Sequence, residues 1–261
     1  MSNSTLNERM VLTNDGAEIS WWSTGSGAPL LLIAGQATTH RGWLHVLPGL
    51  AENHRVILYD HRGTGRSTSG DRSRFTTRDF AQDAVTVLEA AGVESAAVYG
   101  HSMGGRVGQW LAIDSPERVE RLALVSTTGG GRMDGPRPAG VDALLASGSP
   151  EQMAPLFFSD EFRERHPGVV EEFFARDASI SARRDHFLAS KAHDAWDQLP
   201  LVSCPTLIVH GAADQVTSVA SAERMAAYIP EAELWVDPDA KHCPHLDSPQ
   251  AQDRISAFFA A

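Results

Sequence analysis

The chain has 261 residues, 42% hydrophobic and 21% charged, enough for one folded unit with a large core and no need of disulfides or metal. Its 33 acidic and 22 basic residues leave a formal net charge of -11, which argues against nucleic-acid binding, because phosphate neutralisation takes clustered lysine and arginine. Two cysteines, Cys204 and Cys243, make no disulfide framework, the polar opening stretch carries no apolar leader, and no apolar run nears the ~20 residues of a bilayer span. A soluble cytoplasmic protein is expected, monomer or homodimer, without membrane or nucleic-acid partner.

In chain order, the stretch up to about Ser23 reads as an antiparallel hairpin turning at Asn14-Asp15-Gly16. Continuous apolar runs follow: 28–33 before Gly35, 55–59 before Asp60, 95–99 before Gly100, and 122–125 before Ser126. Two more end near Gly211 (206–209) and at Asp237 (233–236). Runs without alternation predict strands buried on both faces. Between them, Phe80, Ala84, Val87, Leu88 and Ala91 keep helical spacing and stop at Gly92. Val107, Trp110 and Leu111 predict a second helix, and 248–260 a last one, with Ser248 as N-cap and Pro249 at its first position. Strands alternating with helices predict a mostly parallel sheet with helices on its faces. The rhythm breaks at 129–199. That stretch opens on Gly129-Gly130-Gly131 and then reads as helical, including 171–174 and 183–188. It is expected to be a helical cap, or lid, inserted after the sixth strand, with 1–128 and 200–261 forming the core.

Gly100-His101-Ser102-Met103-Gly104 sits between a predicted strand and a predicted helix. In that setting G-x-S-x-G forms a tight turn that lifts the serine above the sheet, at a helix N-terminus that favours developing negative charge. A serine nucleophile needs a base, and the base an orienting acid. Asp214 follows the 206–209 run and His242 follows the 233–236 run. The order Ser…Asp…His, each member at the carboxyl end of a strand, makes Ser102, Asp214 and His242 the candidate catalytic residues.

With these residues in view, the sequence resembles the α/β-hydrolases, most closely the esterase and lactonase branch that includes 3-oxoadipate enol-lactonases and cofactor-free haloperoxidases. Asp60-His61-Arg62-Gly63-Thr64-Gly65-Arg66-Ser67 is similar to the family's D-x-R-G-x-G-x-S loop. Residues 100–112, the stretch from His210-Gly211 to Asp214, and 242–249 resemble its elbow, acid loop and histidine loop. The resemblance implies an α/β-hydrolase fold and an oxyanion hole from the backbone N–H groups of Gln36 and Met103. Two positions depart from the pattern: Ala34-Gly35 stands where the family usually has His-Gly, and Lys241 stands where glycine is common. Lys241 could place a cation near the pocket mouth. Gly35, His101, Trp43, Phe157 and Phe158 are expected to contact substrate, with Trp110, Phe173 and Phe174 as further aromatic candidates for an acyl pocket.

Other chemistries are less well supported. The 242–247 stretch, HCPHLD, offers metal-ligating side chains but lacks H-E-x-x-H and cysteine pairs. Cys243 reads as an inert thiol beside a better-placed serine. The glycines at 63, 65 and 70 lack the lysine of a phosphate loop, and Arg62 reads as a pin for a tight loop. No metal and no cofactor are expected. The predicted reaction is hydrolysis of a small ester or lactone through an acyl-enzyme. Hydrolytic C–C cleavage of a diketone and cofactor-free perhydrolysis are the enzymatic alternatives. The non-enzymatic one is a small-molecule receptor on this fold, whose usual mark would be a damaged triad.

Overall fold

The computed structural model describes residues 6–71, 74–175 and 177–261. Its centre is one eight-stranded sheet of order β1-β2-β4-β3-β5-β6-β7-β8. The strands are β1 Arg9–Leu12, β2 Glu18–Thr24, β3 Ala28–Ile33, β4 His54–Tyr59, β5 Ala96–His101, β6 Val119–Val125, β7 Thr206–Gly211 and β8 Glu233–Asp237. β1 and β2 pair antiparallel, as do β2 and β4, and the six strands from β4 to β8 run parallel. The expected hairpin and all six apolar runs are therefore strands. β5 continues two residues past its apolar run, because Gly100 and His101 stay in parallel register with Leu124 and Val125.

Both faces of the sheet are covered, which is why its strands read as unbroken apolar runs. On one face Leu31, Ile33, Ile57, Val98, Leu122 and Leu124 pack with Phe80, Ala84, Val87 and Leu88 of helix Thr77–Ala90 and with Val107 and Leu111 of helix Met103–Asp114. On the other, Leu30, Leu32, Val56, Leu58, Tyr99 and Val125 meet Leu47, Leu50 and the apolar face of helix Pro249–Ala260. Thr76 starts the first of these helices with a reciprocal capping box to Asp79, and the Ser248 hydroxyl caps the last by accepting from the Ala251 N–H.

Arg62 pins its loop as the sequence suggests. Buried, it donates to Asp83 on helix Thr77–Ala90 and to Asp15 in the hairpin turn, and its guanidinium lies 4.9 Å from the Phe75 ring centroid. Between β6 and β7 come helices Val141–Ser147, Pro150–Phe157, Asp160–Arg165, Pro167–Phe173 and Ile180–Lys191. Among the described residues this stretch adds no strand to the sheet; an isolated bridge at Thr64–Ala178 ties it to the core, and a second, Gly130–Asp194, joins its own two ends.

Candidate active site

The turn after β5 explains its two glycines. Ser102 has φ 55°, in the left-handed region, so the chain reverses sharply between strand and helix. A Cβ on Gly100 would meet the backbone of Gly104, and one on Gly104 would run into the carbonyl of Ile33 on β3. Only glycine lets these backbones pass at that distance. Ser102 donates its N–H to the Val125 carbonyl at 2.9 Å, and its own carbonyl accepts from the Thr127 hydroxyl at 2.7 Å. The side chain is thereby fixed at the carboxyl edge of the sheet.

His242 and Asp214 reach the same edge from the loops after β8 and β7. His242 Nε2 lies 3.1 Å from Ser102 Oγ, and His242 Nδ1 lies 2.8 Å from Asp214 Oδ2. The Asp214 carboxylate is well satisfied. Oδ1 accepts from the N–H groups of Val216 and Thr217, and Oδ2 accepts from the Thr217 hydroxyl at 2.7 Å. Burial alone would raise its pKa; the imidazoles of His242 and His210 and the Thr217 hydroxyl outweigh that and hold the carboxyl down to about 2. An ionised carboxylate can only accept, so His242 Nδ1 carries the proton and Nε2 turns its lone pair to the serine hydroxyl. This arrangement can draw the proton from Ser102 and stabilise the charged imidazole that results.

The Gly35 backbone runs close beside the serine: a Cβ there would lie 3.5 Å from Ser102 Cβ and 3.3 Å from His101 Nδ1. Gln36 follows, exposed, in a turn closed by the Thr38 N–H and hydroxyl on the Gly35 carbonyl. Among the described residues, no acceptor meets the N–H of Gln36 or of Met103. Met103 opens its helix, where backbone donors have no intrahelical partner.

The expected substrate contacts separate. The Phe157 ring stands edge-on to His242, centroids 4.9 Å apart. Phe158 instead points into the interior, stacked on Phe162 at 5.2 Å and wholly buried, because the helix ends at Phe157 and the next residue turns extended. Trp43 is also interior, packed edge-on to Tyr99 and tilted against His245. His101 is buried behind the site, donating from Nε2 to the His242 carbonyl at 2.9 Å; burial, then the nearby His242, lowers its pKa to about 3. The Lys241 ammonium lies 3.7 Å from the exposed carboxylate of Asp160.

The histidine loop is tied to the helices between β6 and β7. Asp247 accepts from the N–H and hydroxyl of Ser159, and the Cys243 N–H donates to the Phe157 carbonyl at 3.0 Å. Sequence reasoning missed these ties and the Thr217 hydroxyl. The D-x-x-T spacing from Asp214 to Thr217 was a usable sign of the latter, since an aspartate commonly accepts from backbone two and three residues on. The metal-ligand group found among the described residues joins His101 and His245 to Cys243, all buried. His101 Nε2 is already engaged by the His242 carbonyl, and burial, with Asp214 and Asp247 nearby, pushes the Cys243 thiol well up, so the group packs as neutral side chains.

Comparison with known proteins agrees with this architecture. A family model described as the alpha/beta hydrolase fold matches residues 28–249. RutD of Azorhizobium caulinodans, designated a carbamate hydrolase, is 35% identical over 233 residues, covering 84% of this chain and 85% of RutD. 3-Oxoadipate enol-lactonase 1 of Acinetobacter baylyi is 26% identical over 263 residues, covering 98% of both chains. The crystal structure of a hydrolase from Pseudomonas aeruginosa PA01 superimposes with a TM-score of 0.84 at 32% identity, covering 99% of this chain and all of that one. The chain belongs to the α/β-hydrolase family and is a hydrolase. Among the described residues, no helix is long and apolar enough to cross a membrane.

Proposed function

We propose that this protein is a serine hydrolase that cleaves a small carboxylic ester or lactone through an acyl-enzyme. Ser102 attacks the carbonyl carbon as its proton passes to His242 Nε2. Asp214 holds the imidazole in the required tautomer and stabilises its charged form. The N–H groups of Met103 and Gln36 stabilise the tetrahedral oxyanion; loss of one such donor commonly costs about 3–4 kcal/mol of transition-state stabilisation. His242 then gives its proton to the leaving alkoxide, and a water activated by the same imidazole releases the acid. The helices of 129–199 act as a cap, with the Phe157 ring bounding the acyl side of the site. The chemistry needs no cofactor.

The observation that carries this reading is the serine–histidine–aspartate relay at 3.1 and 2.8 Å on the carboxyl edge of the sheet. The named activities of the lactonase and carbamate-hydrolase relatives support it from another side. Both are acyl transfers in which a heteroatom leaves a carbonyl.

The test is labelling with a fluorophosphonate followed by adduct mapping, beside turnover of a panel of p-nitrophenyl esters and lactones. The adduct should map to Ser102, and Ser102→Ala should keep the fold and lose labelling and turnover. Undiminished hydrolysis by Ser102→Ala would overturn the assignment. Turnover of a ring-cleavage dione without any ester or lactone would move the reaction to C–C hydrolysis.

A further inference from the structure

We propose that His186, on helix Ile180–Lys191, is a positioning residue for the oxyanion loop, holding the Gln36 N–H in place opposite Ser102. The inference rests on the reaction proposed above. It is drawn from one imidazole at which three distant parts of the chain meet.

His186 Nδ1 lies 3.1 Å from the Ala37 N–H, and His186 Nε2 lies 2.9 Å from the Arg62 carbonyl. A peptide N–H can only donate and a carbonyl can only accept. The ring must therefore be neutral, with its proton on Nε2 and its lone pair at Nδ1. The surroundings suit that form: the ring is wholly buried, 4.9 Å from Phe80 and 5.8 Å from His61 between centroids. A second neutral imidazole grips the other end of the same loop, His61 donating from Nε2 to the Ala34 carbonyl at 3.0 Å.

The consequence falls on Gln36. The peptide group carrying its N–H is fixed through the Gly35 carbonyl, which accepts from Thr38. The next peptide group is fixed through the Ala37 N–H, which His186 accepts. Ala37 has φ 56°, a left-handed conformation that a residue with a Cβ adopts rarely and that persists where its surroundings hold it. Without the Nδ1 acceptor, the Ala37 peptide is free to turn, and the Gln36 N–H is left held from one side, through the Gly35 carbonyl. A misplacement of about 1 Å in a transition-state donor costs up to about 100-fold in rate. The segment leading into the helix has other anchors, since the Gly65 N–H donates to the Asp177 carbonyl at 2.7 Å and Thr64 bridges to Ala178.

Two amide substitutions separate the two ring nitrogens. In His186→Asn the amide sits at the position of Nδ1 and can still accept from Ala37, while the bond to Arg62 is lost. In His186→Gln the amide reaches the position of Nε2 and can still donate to Arg62, while the Ala37 acceptor is lost. On a p-nitrophenyl ester, His186→Gln should lower kcat about 10- to 100-fold with KM nearly unchanged, and His186→Asn should stay within about threefold of the parent. Equal losses in the two variants that track their melting temperatures would show a packing role only and overturn the proposal, as would parental kcat in His186→Gln. Hydrogen exchange on the unsubstituted protein gives an independent check: the Ala37 amide should exchange as slowly as sheet amides, and exchange at the rate of an open loop would sink the idea whether or not the variants fold. A parent enzyme that neither labels at Ser102 nor turns over an ester would count against the reaction itself, whereas a labelled parent with a fully active His186→Gln counts against the positioning role alone.

Discussion

Acidification from pH 7 to pH 5 should destabilise the fold by about 4 kcal/mol, and the buried imidazoles set that figure. Burial lowers the pKa of His61 and of His101 to about 3, helped by His186 near the first and His242 near the second. In the unfolded chain both titrate near ~6.5. Below that pH the unfolded state binds protons that the native state refuses, so stability is complete above ~6.5 and falls as pH drops from there toward 3. Each group then loses about 2 kcal/mol between pH 7 and pH 5, giving about 4 for the two. His186, His193, His210 and His245 are also lowered by burial and add to the loss, while Asp83, raised by burial, works against it. Asp214, held down to about 2, is ionised in both states over this window and adds its loss only below its ordinary carboxylate range. Urea unfolding at the two pH values and constant ionic strength measures the difference. His101→Gln keeps a donor for the His242 carbonyl and should recover about 2 kcal/mol of the loss. A difference below about 1 kcal/mol would refute the reasoning that these rings stay neutral when folded.

Two substitutions probe the supports of the site. Thr217→Val removes the hydroxyl bond to Asp214 Oδ2; it should lower kcat about three- to tenfold at steady KM and cost about 1 kcal/mol of stability, read by ester kinetics and urea unfolding. Parental kcat would remove Thr217 from the machinery. Asp83→Asn leaves the buried Arg62 cation with Asp15 as its remaining carboxylate partner and should cost about 3–5 kcal/mol in the same unfolding assay; a loss under about 1 kcal/mol would show that the Asp83 charge is not needed to hold Arg62.

What the sequence disclosed is what local physics dictates. A sheet buried on both faces leaves no polar alternation, so the apolar runs mark its strands directly. Gly100 and Gly104 mark the turn at Ser102 because a Cβ at either position collides with backbone. Asp214 and His242 were legible from their places just past apolar runs. Side-chain direction was not legible. Phe157 and Phe158 are adjacent and chemically alike, yet one ring meets His242 and the other lies in the interior, a choice made by where the helix ends and by a hydrogen bond from Cys243. The pairing of Lys241 with Asp160 and the grip of His186 on Ala37 join segments far apart in the chain, and periodicity carries no record of such meetings.

The ties from Ser159 to Asp247 and from Cys243 to Phe157 make His242, the general base of the proposed reaction, a passenger of the neighbouring corner. If that corner swings outward to admit a bulky acyl group, the imidazole travels with it and parts from the hydroxyl. While that door stood ajar, the serine would be an ordinary alcohol, indifferent to whatever drifts past. Under the proposed mechanism, reactivity would return only with closure, so that gatekeeping and nucleophile activation would be a single mechanical event.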